Sequence, residues 1–110
     1  MRRVEKPWGH ELIWAETKDY VGKILNIEPN QRLSLQYHNI KEETVLVLEG
    51  TLLNYTDEDS PPQRIKAGST LHVNVGQVHR FGAGNTLVKI VEESTPHLDD
   101  VVRMADDYDR

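Results

Sequence analysis

The sequence of 110 residues has a net charge of -5 and contains no cysteine. Its length predicts one domain, residues 1–110, with one hydrophobic core, and its acidity argues against nucleic acid or an anionic membrane as partner. The absence of cysteine excludes disulfides, thiolate metal ligands and a cysteine nucleophile. Because no segment has the character of a signal peptide or a membrane span, we expect a cytoplasmic protein.

Short extended stretches recur along the chain after a predicted turn at 6–9. The predicted strands are 10–15, 22–27, 32–37, 44–49, 51–55, 63–66, 70–75, 79–81 and 86–92. Gly50, between two of these strands, predicts a tight bend that pairs them in a hairpin. Strand signals at intervals of about eight to twelve residues are typical of an all-β barrel or sandwich.

The C-terminal segment 98–110 has a different character, with five aspartates. Two valines and Met104 predict either one apolar side of a short helix or an extended segment, and a solvated tail is the alternative. On a helix, Arg103 and Arg110 would share a face, because they are seven residues apart. We expect an ordered segment that packs on the barrel and brings Arg103 towards its interior.

Candidate metal ligands are grouped around one predicted strand. Gln36 and His38 are two residues apart, so their side chains point to the same side of a strand. Glu43 follows on the next strand, and a closed barrel would bring His79 opposite them. Two imidazoles, a carboxylate and an amide oxygen would bind one divalent ion, zinc first, with manganese, iron, nickel and cobalt also suited to the set. The same spacing also arises by chance in proteins without a metal.

The opposite side of the same strand predicts a contact between copies of the chain. Leu33, Leu35 and Tyr37 alternate with the candidate ligands and are expected to face away from the metal. Their apolar character suits a homodimer interface.

Several motifs together resemble one family, the C-terminal cupin domain of type II mannose-6-phosphate isomerases and related stand-alone small cupins. The motifs are Lys6-Pro7-Trp8-Gly9, Lys23 after Gly22, the run Leu33-Ser34-Leu35-Gln36-Tyr37-His38, and the ending Asp99-Asp100-Val101-Val102-Arg103 through Tyr108 and Arg110. The resemblance implies a single cupin barrel, also called a double-stranded β-helix or jelly roll, with a short C-terminal tail. It also implies that the metal ligands are Gln36, His38, Glu43 and His79.

The resemblance further implies a metal-dependent isomerase that interconverts an aldose phosphate and a ketose phosphate through an enediol. Arg103 and Lys23 would then be catalytic, and Lys41 and Arg110 would bind the phosphate of a sugar phosphate. The chain departs from the family pattern at 39–41, where Asn-Ile-Lys replaces His-His-Arg. A lysine lacks the two-pronged hydrogen bonding that arginine offers to phosphate. Two alternatives therefore stay open: a non-catalytic cupin that binds a sugar or sugar nucleotide, and a metal-dependent dioxygenase.

Overall fold

The structure is a computed structural model that describes residues 1–110, and it contains eleven β-strands and no helix. The first six strands are β1 (Arg2–Lys6), β2 (Gly9–Glu16), β3 (Val21–Ile27), β4 (Leu35–Tyr37), β5 (Glu43–Glu49) and β6 (Thr51–Tyr55). The other five are β7 (Gln63–Lys66), β8 (Thr70–Val73), β9 (Arg80–Gly82), β10 (Val88–Ser94) and β11 (Val102–Ala105). The all-β prediction is confirmed. The chain offers no helix that could cross a membrane.

Antiparallel pairing joins the strands into three sheets. The largest has the order β1-β2-β3-β10-β5-β8, the second has the order β7-β6-β9, and β11 pairs with β4. Single bridges, from Arg32 to Gly82 and from Gln36 to His79, connect the region of β4 to the region of β9. The two smaller sheets therefore form one layer, which shares a hydrophobic core with the six-stranded sheet.

The interior of the barrel is apolar at one end and charged at the other. Side chains alternate along each strand, so every second residue points inward. The inward positions of β5 are Glu43, Val45 and Val47, and those of β10 are Val88, Ile90, Glu92 and Ser94. Each fully buried valine or isoleucine contributes roughly 1.5–3 kcal/mol relative to an exposed one. The apolar end therefore stabilises the fold, while the charged end is available for chemistry.

The predicted turn at 6–9 connects β1 to β2 as an antiparallel hairpin. Residues 2–6 gave no strand signal because they are mostly charged and lack apolar alternation. Trp8 in the turn is only 2% exposed and belongs to the core. The N-terminal segment is thus part of the barrel and supplies one of its largest buried side chains.

The C-terminal segment is extended, and the helix considered for it is wrong. β11 pairs with β4, so that Val102 lies opposite Tyr37 and Arg103 lies opposite Gln36. The backbone of β4 has only single bridges on its other side, and pairing with the tail satisfies its remaining hydrogen bonds. This gain from a distant partner outweighs the weak helical pattern of the segment.

Gly50 occupies a bend, as predicted, but the predicted hairpin is wrong. β5 belongs to the six-stranded sheet, whereas β6 lies between β7 and β9 in the other layer. The bend therefore transfers the chain from one layer to the other. Gly50 has a φ of 77°, and a Cβ atom there would lie 2.4 Å from the carbonyl oxygen of Leu87.

The predicted dimer surface is also not exposed as expected. Leu35 is 3% exposed, and Leu33 packs against the core instead of facing away from it. Residues 32–34 lie outside β4, so the strict alternation assumed for 32–37 does not apply to them. The exposed apolar side chains on the six-stranded sheet are Trp14, Leu46 and Leu48. Homodimer formation stays a prediction, but Leu33 and Leu35 are not available to form its interface.

The bend at Gly50 yields a test against a second glycine. Gly68 also has a positive φ, of 89°, but a Cβ there would meet no atom within 4 Å. Both alanine variants should carry the left-handed backbone cost of about 1–2 kcal/mol. Only Gly50→Ala adds a steric clash, so its free energy of unfolding in urea should fall by about 1–2 kcal/mol more than that of Gly68→Ala. Equal losses would contradict the crowded bend.

Candidate metal centre

Three predicted ligands meet inside the charged end of the barrel. Glu43 is the first residue of β5, His38 follows β4, and His79 precedes β9. The backbones of Gln36 and His79 exchange two hydrogen bonds of 2.9 Å, which places the two motifs side by side. One nitrogen or oxygen atom from each of His38, Glu43 and His79 lies within 4.8 Å of the others. Three donors at this separation can share one ion.

The distances within this group define a buried cluster around the carboxylate. His79 Nε2 lies 3.3 Å from Glu43 Oε1, and His38 Nε2 lies 3.8 Å from Glu43 Oε2. All three side chains are 2% exposed. The two imidazole rings stand 5.1 Å apart between centroids. The three groups therefore interact with little screening by water.

Each imidazole is held by its other nitrogen. His38 Nδ1 donates to the carbonyl oxygen of Asp100, and His79 Nδ1 donates to the carbonyl oxygen of Gln77 at 3.1 Å. A carbonyl only accepts hydrogen bonds, so the proton of each neutral ring is on Nδ1. The lone pair of each Nε2 then points at Glu43, and neither Nε2 has a hydrogen-bond partner.

The charge state of the group matches a cation site. Burial lowers the pKa of His38, which favours its neutral form. Burial alone would raise the pKa of Glu43, but the nearby positive charge of the Lys41 ammonium acts against it, and that pKa lies well below its ordinary range. An anionic carboxylate faced by two buried acceptor nitrogens is costly unless a cation lies between them. The residues present therefore fit a divalent metal ion.

Gln36, the fourth predicted ligand, lies beside this group. Its Oε1 accepts a hydrogen bond of 2.6 Å from the buried Ser34 hydroxyl. That bond fixes the amide orientation and leaves a second lone pair on Oε1. Gln36 lines the same cavity as His38 and Glu43, so its role as fourth ligand stays a prediction that the geometry permits.

Two lysine–glutamate pairs form the wall next to the candidate ligands. Lys41 Nζ lies 3.0 Å from Glu43 Oε2 and 3.3 Å from Glu92 Oε2. The contact with Glu43 is an ion pair whose geometry is not that of a hydrogen bond. Lys23 Nζ lies 3.3 Å from both carboxylate oxygens of Glu11. Four charged residues of this wall are each less than 9% exposed and line the cavity: Lys41, Glu92, Lys23 and Glu11.

This wall changes the interpretation of Lys41. The sequence predicted a phosphate-binding lysine at the mouth of the barrel, but its ammonium is buried between two carboxylates. Burial alone would lower the pKa of Lys41, yet Glu92 and Glu43 raise it above its ordinary value. Lys41 is therefore a fixed positive charge that neutralises the carboxylates, and this position argues against phosphate binding.

Glu92 is a candidate functional residue that the sequence did not reveal. Burial, together with the nearby charge of Glu43, raises the pKa of Glu92 to about 7. A carboxyl group with such a pKa exchanges protons readily at neutral pH. On sequence alone, Glu92 was one of several glutamates in a predicted strand, and only the inward direction of its side chain distinguishes it from the exposed Glu93.

The remaining predicted residues also line the cavity, with Lys23 in its buried wall and the two arginines on its exposed side. Lys23, Arg103 and Arg110 line it together with the candidate ligands, and its volume is about 80 Å³. Arg103 is exposed and forms no ion pair. Arg110 is held by Asp106 through contacts of 2.9 and 3.2 Å. Arg103 is therefore the arginine that is free to bind an anion at the mouth.

Comparison with known proteins places the chain in a family. The model of the family described as mannose-6-phosphate isomerase C-terminal matches residues 1–106. The chain belongs to this family. The cupin domain is also 31% identical over 114 residues to mannose-1-phosphate guanylyltransferase of Escherichia coli (strain K12), a match that covers 99% of this chain and 23% of that enzyme. It thus spans about a quarter of the length of this relative.

Solved structures show the same fold at low sequence identity. A polyketide cyclase from Streptomyces resistomycificus superposes with a TM-score of 0.78 at 15% identity, covering 86% of the cupin domain and 70% of that chain. A sugar phosphate isomerase of the cupin superfamily from Silicibacter pomeroyi gives a TM-score of 0.67 at 22% identity, covering 78% and 58%. The double-stranded β-helix expected from the sequence is confirmed.

Glu92 yields a prediction for the metal-free cupin domain. The ordinary pKa of its carboxyl is 4.5 and the folded value is about 7, so the folded state holds the proton more tightly. The stabilising contribution of Glu92 is therefore complete below about pH 4.5 and is lost as the pH rises through 7. His38, whose pKa is lowered, contributes with the opposite sign, so a variant is needed to isolate Glu92.

Glu92→Gln keeps the shape of the neutral carboxyl group and removes its titration. Relative to this variant, the parent should lose roughly 2–3 kcal/mol of its free energy of unfolding as the pH rises from 5 to 8. Urea denaturation across this pH range measures it, with exposed Glu93→Gln as the control. Parallel pH profiles for parent and Glu92→Gln would contradict the raised pKa.

Proposed function

We propose that this cupin domain is a metal-dependent isomerase of sugar phosphates, of the mannose-6-phosphate isomerase type. The observation that carries the proposal is the group of His38, Glu43 and His79, which is buried in the same cavity as the carboxyl group of Glu92 and the exposed Arg103. Membership of the mannose-6-phosphate isomerase C-terminal family supports the same reaction class. The substrate class is an aldose–ketose pair such as mannose 6-phosphate and fructose 6-phosphate.

The reaction moves one proton from C2 to C1 of the aldose and a second proton from the C2 hydroxyl to the C1 oxygen, through an enediol. A divalent ion held by His38, Glu43 and His79, with Gln36 as fourth ligand, would supply Lewis-acid stabilisation of negative charge on the sugar oxygens. The carboxylate of Glu92 is suited to accept the proton from C2 of the aldose and return it to C1, because it lies in the wall of the same cavity as the candidate ligands and beside the Lys41 ammonium.

The surrounding charges assist this transfer. Lys41 stays protonated between Glu92 and Glu43, so it stabilises the anionic form of either carboxylate. Lys23 lines the same cavity and, with Glu11, offers donors and acceptors for the hydroxyl groups of a sugar. Alternating donors and acceptors suit a polyol, whose hydroxyls both donate and accept.

Arg103 is the residue we assign to the phosphate. Its guanidinium is exposed at the mouth and forms no ion pair, whereas Arg110 is occupied by Asp106. A planar guanidinium binds a phosphate with two parallel hydrogen bonds. A sugar phosphate would then enter with its carbonyl end towards the metal centre and its phosphate at the mouth.

One feature favours a second function, the binding of a sugar or sugar nucleotide without catalysis. The segment 39–41 lacks the His-His-Arg of the family pattern, and Ile40 in its middle is 59% exposed. Without the polar side chains of His-His-Arg, the site could still bind a sugar but would have fewer groups that could take part in catalysis. The two functions differ in turnover, not in metal content.

The direct test is isomerisation by the metal-reconstituted protein. Zinc- or manganese-loaded protein mixed with mannose 6-phosphate in deuterated water should form fructose 6-phosphate and exchange a carbon-bound proton, both visible by NMR. Chelation should abolish both signals. Saturable binding of the sugar phosphate without turnover by any of the five candidate metals would reject the isomerase and favour the binding function.

Arg103→Ala tests the assignment of the phosphate site. The variant should raise KM for the sugar phosphate roughly 10- to 100-fold, since a charge-assisted hydrogen bond is lost. Its metal content should equal that of the parent, because Arg103 is not among the candidate ligands. Arg64→Ala on β7 is the matched control, since Arg64 is exposed and remote from the cavity. An unchanged KM for Arg103→Ala would remove Arg103 from the site.

A further inference from the structure

Asp100, a residue of the C-terminal segment, makes an unusual set of contacts with the candidate metal centre. Its carbonyl oxygen accepts the hydrogen bond from His38 Nδ1. Its carboxylate accepts three consecutive backbone N–H groups: Oδ1 binds Asn39 at 3.1 Å, and Oδ2 binds Ile40 at 2.7 Å and Lys41 at 2.8 Å. One residue thus holds both the ring of His38 and the segment that follows it.

The segment held in this way connects two candidate ligands. Residues 39–42 are all that separates His38 from Glu43, and they belong to no strand. Their first three N–H groups bond to Asp100, so the segment owes its conformation mainly to a residue about sixty positions away. Loss of these bonds would free both the direction of the His38 ring and its separation from Glu43.

We infer that Asp100 is a positioning residue for the metal centre, through which metal binding and docking of the C-terminal segment strengthen each other. The inference rests on the proposed metal centre. A partner on the far nitrogen of a ligating imidazole fixes its tautomer and orientation, and loss of such a partner typically weakens metal binding about 10- to 100-fold. Here that partner belongs to the segment that also carries Arg103.

The segment has other attachments, which allow the effect of Asp100 to be separated from unfolding of the tail. Arg32 forms contacts of 2.6 and 3.0 Å with Asp107, and Tyr108 donates a hydrogen bond of 2.7 Å to Gln31. β11 also remains paired with β4. Removal of the Asp100 carboxylate should therefore loosen residues 39–41 while the tail stays attached.

The same coupling connects the two ends of the proposed active site. Arg103 follows Asp100 by three residues and lies opposite Gln36 in the β11–β4 pair. A metal ion that fixes His38 would therefore favour the docked tail, and the docked tail would hold Arg103 at the mouth. Such coupling is reciprocal, so both directions can be measured.

The experiment compares Asp100→Ala and Asp100→Asn with Asp99→Asn, a matched control in which an exposed neighbouring aspartate loses the same charge. Cobalt(II) is titrated into each metal-free protein, and affinity and the visible absorption spectrum are recorded. Both Asp100 variants keep the backbone carbonyl that accepts from His38 Nδ1 but lose the bonds that fix residues 39–41, so both should bind cobalt about 10-fold more weakly, with an altered spectrum. Asp99→Asn should match the parent. Asparagine should not replace Asp100, because it has one acceptor oxygen where aspartate has two. Either its NH2 group would face a backbone N–H group, or its single oxygen would have to accept all three hydrogen bonds.

A second measurement uses the parent protein alone, so it does not depend on how well the variants fold. Zinc binding should slow hydrogen exchange at the amides of Asn39, Ile40 and Lys41, because it favours the docked state of Asp100. Slowed exchange at these amides supports the coupling. Unchanged exchange on zinc binding overturns it.

The outcomes separate this inference from the proposed function. If the parent binds cobalt and the Asp100 variants bind it equally well with the same spectrum, the positioning role is wrong and the metal centre stands. If the variants merely melt at a lower temperature without metal and keep the parent affinity, Asp100 is structural only and the inference is again wrong. If the parent binds neither cobalt nor zinc, the proposed metal centre fails, and the coupling fails with it.

Discussion

Glu43 and the two imidazole nitrogens that face it form the interaction on which the rest of this structure depends. Both Nδ1 atoms donate to backbone carbonyls, so each Nε2 presents a lone pair to an anionic carboxylate in a site almost closed to water. Three acceptors in such a place repel one another unless a cation joins them. The Lys41 ammonium stabilises the negative charge of Glu43 from one side. The lone pairs of His38 and His79 remain available for a metal ion.

The barrel accommodates these buried charges because its interior is divided along the strands into an apolar end and a charged end. On β5 and β10 the same inward face carries valine and isoleucine at one end and glutamate at the other. The apolar half supplies the buried area that stabilises a small domain, and the charged half is closed by strands from both layers and by the C-terminal segment. Function and stability therefore occupy opposite ends of one core, and a charge at the site costs little packing elsewhere.

The strands and the pairing of Gln36 with His38 could be predicted because both depend on local patterns, whereas the inclusion of the distant His79 came from the family resemblance. A period of two places Gln36 and His38 on one side of a strand, and glycines such as Gly50 mark where strands end. The features that were missed depend on partners far apart in sequence. These features follow from strand register, which no local pattern records. They are the inward direction of Glu92, the pairing of β11 with β4, the burial of Lys41 between two carboxylates, and the contacts of Asp100. The false hairpin at Gly50 has the same origin, since a bend does not reveal which sheet the next strand joins.

The central claim is that His38, Glu43 and His79 hold one divalent ion. X-ray absorption at the zinc edge, on protein loaded with zinc and washed free of excess metal, tests it most directly. The account predicts one zinc per chain with two imidazole nitrogens and otherwise oxygen ligands, and with one imidazole lost in His79→Ala. His72→Ala, which removes an exposed histidine that pairs with Glu42 on the outside of the barrel, should leave the spectrum unchanged. Zinc that washes away from the parent, or a bound zinc whose spectrum is the same in His79→Ala, would contradict the account.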